Sequence, residues 1–183
     1  MELQIEETLE DKITKLQNSY YHQNSKSMFI KNQQKLQCAQ NISENLQLEH
    51  LLAKMVYIIP NTNKICLDYA IFKTFAHPNI YTHIVEYILS LLTSCIQAYS
   101  HYEMHINLQS FTTTAAQRYK DIIYLFCAKC LQNDPVIVTN LDVLYIYNSP
   151  KMLKSIMQIF AGAVNDTIKS KIVECDQEFT RIC

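Results

Sequence analysis

One glycine, Gly162, stands in 183 residues, and that scarcity is the sharpest constraint in the chain. Loops that cradle phosphates bring backbone amides against a nucleotide and need several glycines to do so. Neither a Walker loop nor a dinucleotide fingerprint is present. An excess of one charge is also lacking, because 16 basic and 17 acidic side chains are scattered and nearly cancel. With no basic stripe to follow a phosphate backbone, nucleic acid is not an expected partner. The longest apolar stretch, Ile80 to Tyr99, is interrupted by His83, Glu86 and Gln97, which suits a soluble helix better than a membrane span. The opening MELQIEETLE has no basic region followed by an apolar core and a cleavage site, so no secretory signal is read there. The expected location is intracellular, cytoplasmic or within a large assembly. There the seven cysteines stay reduced and serve as small apolar core residues.

What the chain does hold is core material, at 49% hydrophobic residues in a length that usually makes one domain. The first 60 residues are rich in Gln, Asn, Lys and Glu. Their apolar positions Ile5, Leu9, Ile13, Leu16 and Tyr20 step by four and three, one stripe of a helix. After a polar break at Ser19 to Ser27, a second helical pattern runs from Leu36 to Met55. This segment is read either as a cap on the main domain or as an arm that docks on other protein subunits.

From Tyr57 onward strands and helices alternate. Lys64 to Tyr69 (KICLDY) reads as a strand after a Pro60-Asn61-Thr62-Asn63 turn, and Pro78 opens a helix, Asn79 to Ser100, with a wide apolar face. Glu103 to Gln109 alternates Met104, Ile106 and Leu108 against His105, Asn107 and Gln109, and is expected to be the central strand. Thr112 to Thr114 caps the next helix, which Asp134-Pro135 ends. Val136 to Leu141 stays ambiguous between helix and extended chain. Asp142 to Tyr147 (DVLYIY) is a strand, Ser149 caps and Pro150 opens a helix through Val164, and Lys171 to Cys175 is the last strand. Helices of this length between strands imply right-handed βαβ crossovers, hence an α/β fold with a mainly parallel sheet covered by helices.

The segment EMHINLQSFTTTAAQRYKDI, then YIYNSPKMLKSIMQIF with its Asn-x-Pro turn, then Thr167 to Ile172 (TIKSKI) resembles the CRAL-TRIO domain of lipid-transfer and lipid-sensing proteins. The resemblance covers roughly residues 57 to 178, and gives two expected regions: a helical arm or cap at 1–56 and a CRAL-TRIO-like α/β domain at 57–183. It implies a hydrophobic ligand or phospholipid as the one bound molecule, with no other cofactor and a lipid or membrane surface as partner. Residues placed to line such a pocket are Ile106, Leu108, Phe111, Leu144, Ile146, Met152, Met157 and Phe160. The same residues also read as ordinary core. Family members that hold phosphatidylinositol carry a Tyr-Pro-Glu sequence where this chain has Asn133-Asp134-Pro135, so that glutamate is missing. A Lys-Pro-Phe-Leu run is replaced by Phe160-Ala161-Gly162-Ala163, and the stop at Cys183 leaves little room for a C-terminal gate.

Chemical constellations are sparse. Cys127-x-x-Cys130 falls near the end of its helix, where the dipole disfavours a thiolate, and it lacks a second ligand pair for zinc. His101 and His105, four apart in an extended segment, are over about 12 Å distant at roughly 3.3 Å per residue. No metal site is read. No Ser-His-Asp or paired-acid arrangement follows from Asp142, Asp166, Glu174, Asp176, Ser110 or Ser149, so a non-catalytic protein is expected. Two roles follow. The preferred one is a structural or scaffold subunit of a larger assembly, its cavity filled by side chains; the other is a module that binds or transfers a hydrophobic ligand or phospholipid. The bias toward Ile, Asn, Lys and Tyr suggests an A/T-rich coding genome, and with it a virion or organellar complex component.

Overall fold

The computed structural model describes residues 7–25, 29–130, 135–151, 153–160, 162–164, 166–176 and 179. Helices α1 (Leu9–Gln23), α2 (Lys31–Asn45) and α3 (Leu48–Met55) come first, and α3 runs directly into strand β1 (Val56–Ile58). Next are β2 (Lys64–Asp68), α4 (Tyr69–Phe75), a single 3-10 turn at Pro78–Ile80, α5 (Tyr81–Tyr99) and β3 (Tyr102–Asn107). The remainder is α6 (Thr113–Arg118), α7 (Lys120–Ala128), α8 (Pro135–Thr139), β4 (Leu141–Tyr147), α9 (Leu153–Ile159), α10 (Asp166–Ser170) and β5 (Ile172–Cys175).

The strands lie in the order β1-β2-β3-β4-β5, with β1 antiparallel to β2 and the other neighbours parallel. The α/β expectation holds, and β3 is the middle strand. In a sequential parallel sheet, right-handed crossovers all wind to the same side. The register puts Ile65, Met104, Leu144 and Ile172 in one row, and Leu67, Ile106 and Ile146 in the next, all on one face. Ile65, Met104 and Ile146 are buried there. The opposite alternation carries Lys64, Glu103, His105, Tyr145, Tyr147 and Val173, none of them buried, together with buried Cys66, Asp68 and Asn107. A bulge at Asp142 lets Tyr102 pair with Leu141 while Glu103 pairs with Val143.

The N-terminal helices pack into the same core as the sheet. Ile13 of α1, Cys38 and Ile42 of α2, and Leu51, Leu52 and Met55 of α3 form one cluster with Ile65, Phe75 and Met104. A capping box starts α1, where the Thr8 hydroxyl accepts from the Asp11 amide and the Asp11 carboxylate accepts from the Thr8 amide.

Several local expectations change. The strand read through Tyr69 stops at Asp68, whose carboxylate accepts from the Ala70 amide and starts α4, a helix the sequence reading passed over. The pattern from Leu36 to Met55 is two helices, parted where Leu46 turns extended. The helix after Thr112, capped as expected, bends at Tyr119, and Val136 lies in helical chain. The helix expected from Pro150 through Val164 is only Leu153–Ile159. Ser149 does not cap it, because its hydroxyl donates to Glu174 at 2.8 Å. At the other end the chain leaves the helix through short turns in which Ala163 and Val164 both donate to the Phe160 carbonyl. Gly162 follows there, with low helix propensity and nothing within 4 Å of where a Cβ would stand.

Glycine scarcity leaves left-handed backbone to other residues: Asn61, Ser100, Ser110 and Asn148 have φ of 60°, 67°, 64° and 51°. Asn148 belongs to a clasp over the C-terminal ends of three parallel strands. The Asn107 amide donates to Asp68 Oδ1 at 3.2 Å, and Asn107 Oδ1 accepts from the Asn148 amide at 2.8 Å and from the Gln109 backbone at 3.1 Å. Asp68 and Asn107 are buried, so each bond lost leaves an unsatisfied group in low dielectric. Asn107→Ala is expected to lower unfolding free energy by about 2–4 kcal/mol, and Asn148→Ala by about 1–2 kcal/mol. Urea denaturation measures both, and a loss under about 0.5 kcal/mol for Asn107→Ala contradicts the clasp.

Candidate functional site: an apolar cavity under the crossover helices

Buried apolar residues separate into two groups. The large cluster spans the sheet and α1 to α8, whereas a small one joins Ala116 of α6 to Ile156 and Phe160 near α9. Between them is an apolar cavity of about 330 Å³, bounded below by the sheet and above by α4, α5, α7, α8 and α9. Its floor is Leu67, Ile106, Leu144 and Ile146, and its walls include Leu108, Phe111, Tyr119, Ile123, Met157 and Phe160. Seven of the eight residues assigned as liners from the sequence surround this one space; Met152 lies outside the described residues. Leu67, Ile106, Leu108 and Leu144 are only half-buried although they face the helical layer. That layer therefore does not close over them.

Two phenols of the wall have carbonyl partners. Tyr102 donates its hydroxyl to the Ile137 carbonyl at 3.0 Å, and Tyr119 donates to the Lys73 carbonyl at 3.4 Å. Burial pushes the Tyr69, Tyr102 and Tyr119 phenols upward, so they stay neutral. Cys127 and Cys130 also line the cavity, and burial pushes the Cys127 thiol up, away from thiolate chemistry. These residues offer a ligand dispersion contacts and shape, with little hydrogen bonding.

A second hollow, of about 510 Å³, is open and polar, at the C-terminal ends of β4 and β5. Lys151, Lys154, Glu174 and Asp176 line it with opposed charges, and Ser149 is engaged by Glu174. Lys171, in the TIKSKI segment, points elsewhere: its ammonium donates to the Val138, Thr139 and Leu141 carbonyls and so caps the C-terminal end of α8. Asp142 meets His101 at 3.6 Å, both half-exposed. Among the described residues no three His, Cys, Asp or Glu side chains are grouped to hold a metal, and no helix is long and apolar enough to cross a membrane.

With this geometry in place, one solved structure decides the architecture: the crystal structure of Sfh5, a Sec14-family CRAL-TRIO protein, superposes with a TM-score of 0.52 at 12% identity. The fold is CRAL-TRIO-like. The match covers 90% of this chain and 63% of that one, so this chain spans under two thirds of its length. No family model matches the sequence, and no curated protein does. In CRAL-TRIO terms, the motif residues behind the sequence resemblance are fold-making. Asn148 of the Asn-x-Pro turn closes the strand clasp, and Lys171 caps α8.

The sequence reading missed a ring stack on the opposite sheet face. His105 stacks on Tyr145 at 4.8 Å and Tyr147 at 5.8 Å, with Nδ1 2.9 Å from the Tyr147 hydroxyl and Nε2 3.4 Å from Glu103. Register was the available signal, since residues one strand apart pair only once the strand alignment is known. Burial holds the His105 imidazole below its usual range, with Glu103 opposing, and burial pushes Tyr147 up to about 12. A histidine with a lowered folded pKa favours folding fully above the unfolded value near 6.5, and that contribution fades as pH falls through the folded pKa. Following the His105 ring protons by NMR should give a pKa below 6.5, lowered further by Glu103→Gln. A value above 6.5 contradicts the burial argument.

Proposed function

We propose that this protein binds a neutral, apolar ligand, or the hydrocarbon chain of a lipid, in the cavity beneath α5, α7 and α9. The observation that carries the reading is the space itself. The space is open to solvent on one side and lined almost wholly by apolar side chains, so water inside it finds few polar partners, and an apolar occupant would take that surface out of water. The volume sits at the low end of the about 300–1,000 Å³ of small-molecule sites, which favours one chain or a compact hydrophobe over an enclosed two-chain phospholipid.

The likeness to a CRAL-TRIO protein supports this choice as fold-level analogy only, at 12% identity. A scaffold whose cavity has filled with side chains fits less well, because Leu108 and Leu144 keep accessible surface inside the fold. The reading is of a binding module, with shape rather than a charged contact selecting the ligand.

Native mass spectrometry of the whole chain, followed by organic extraction, tests it. A stoichiometric apolar molecule is the expected result, and the double substitution Ile106→Phe/Leu144→Phe should cut uptake of a fluorescent fatty alcohol by tenfold or more at unchanged fold. A protein that neither carries nor takes up any hydrophobe, or a filled cavity that binds as before, contradicts it.

A further inference from the structure

The N-terminal end of α2 presents apolar side chains to solvent beside a cluster of cations. Phe29 is 100% exposed and Ile30 is 47% exposed, immediately before Lys31. Arg118 of α6 reaches this turn and donates to Asn32 Oδ1 from Nε at 3.1 Å and from Nη2 at 2.7 Å. Lys35, one turn further along α2, lies within electrostatic reach of Arg118, Lys31 and Lys73, and after partial burial their repulsion is what holds its ammonium below the usual lysine range. None of Lys31, Lys35, Lys73 and Arg118 has a carboxylate in ion-pair distance among the described residues. The nearest acid along α7, Asp121, lies three positions beyond Arg118 and forms no pair with it.

Four like charges kept together in a chain of net charge −1 need an anionic counterpart. Exposed aromatic and aliphatic side chains among them need an apolar one. An anionic lipid surface supplies both, with headgroups for the cations and acyl boundary for the rings. We infer that the protein docks on anionic membranes through this edge, Phe29 and Ile30 entering the interface while Lys31, Lys35, Lys73 and Arg118 meet the headgroups. The edge adjoins the cavity. Lys73 lies 5.9 Å from the Tyr69 ring and Arg118 lies 5.5 Å from the Tyr119 ring, and both rings form cavity wall. Docking there sets the membrane one aromatic layer from the apolar space.

Co-sedimentation of the full chain with phosphatidylcholine vesicles, with and without phosphatidylserine, tests the inference separately from ligand uptake. Binding is expected on the phosphatidylserine vesicles and should fall as ionic strength rises. Lys31→Gln/Lys35→Gln should weaken it by roughly 25-fold, at about fivefold per cation, and Phe29→Ser/Ile30→Ser by about tenfold. All four positions are exposed, so circular dichroism should report an unchanged fold. Absence of binding to either vesicle, equal binding to both without salt dependence, or binding that survives both double substitutions overturns the proposal. The cavity-filled variant Ile106→Phe/Leu144→Phe should dock as the parent does, which keeps failure of docking distinct from failure of ligand binding.

Discussion

The Asp68–Asn107–Asn148 clasp is the constraint on which the arrangement depends. Three parallel strands end within one hydrogen-bonded network, and a crossover leaves from each of those ends. Asp68 also caps α4, and Asn107 also fixes the Gln109 turn that precedes α6. Asn148 takes the left-handed backbone that turns the chain toward α9, which asparagine tolerates better than most residues. Because these departures are pinned to one another, the helices above the sheet stand at set distances from it. The cavity is the remainder of that spacing: the side chains on α5, α7 and α9 that face it do not fill it.

Fold and site were legible to different degrees. Alternation in Glu103 to Gln109 and the apolar run of Val143 to Ile146 revealed two strands directly, because period-2 burial leaves a strong local mark. Seven of the expected liners face the cavity because they sit on those strands and on the amphipathic segments nearby, yet the same pattern serves equally for a solid core. Whether a gap remains depends on how two clusters meet, Ile156 and Phe160 with Ala116 on one side and Met104 and Leu141 on the other. No local pattern encodes that meeting. Helix α4 was legible in principle, since Asp68 precedes Ile71, Phe72 and Phe75 at helical spacing, but the adjoining strand masked it. The ring stack of His105, Tyr145 and Tyr147 was not legible, because it requires the register of β3 on β4.

The two faces of the sheet divide the physical work. One face is apolar and lies under helices, so its residues offer contact area without polarity. The other carries Lys64, Glu103, His105 and two tyrosines, all partly buried, with the Lys64 ammonium 3.7 Å and the His105 ring 3.4 Å from the same carboxylate. The apolar rows and most of the polar side chains therefore lie on opposite sides of one layer of backbone. A hydrophobe has reason to enter on the helical side and little reason to rest on the other. The basic edge at α2 lies beyond the helical side, next to the aromatic wall formed by Tyr69 and Tyr119.

The central claim is that the space beneath the helices accepts an apolar molecule. Methyl-labelled NMR, titrating the full chain with a small neutral hydrocarbon, addresses it most directly. The account predicts saturable shifts of the Ile106, Leu108, Leu144 and Ile146 methyl groups, with Val173 on the opposite face unmoved. Shifts centred on Val173, or none that saturate at the four lining residues, would contradict it.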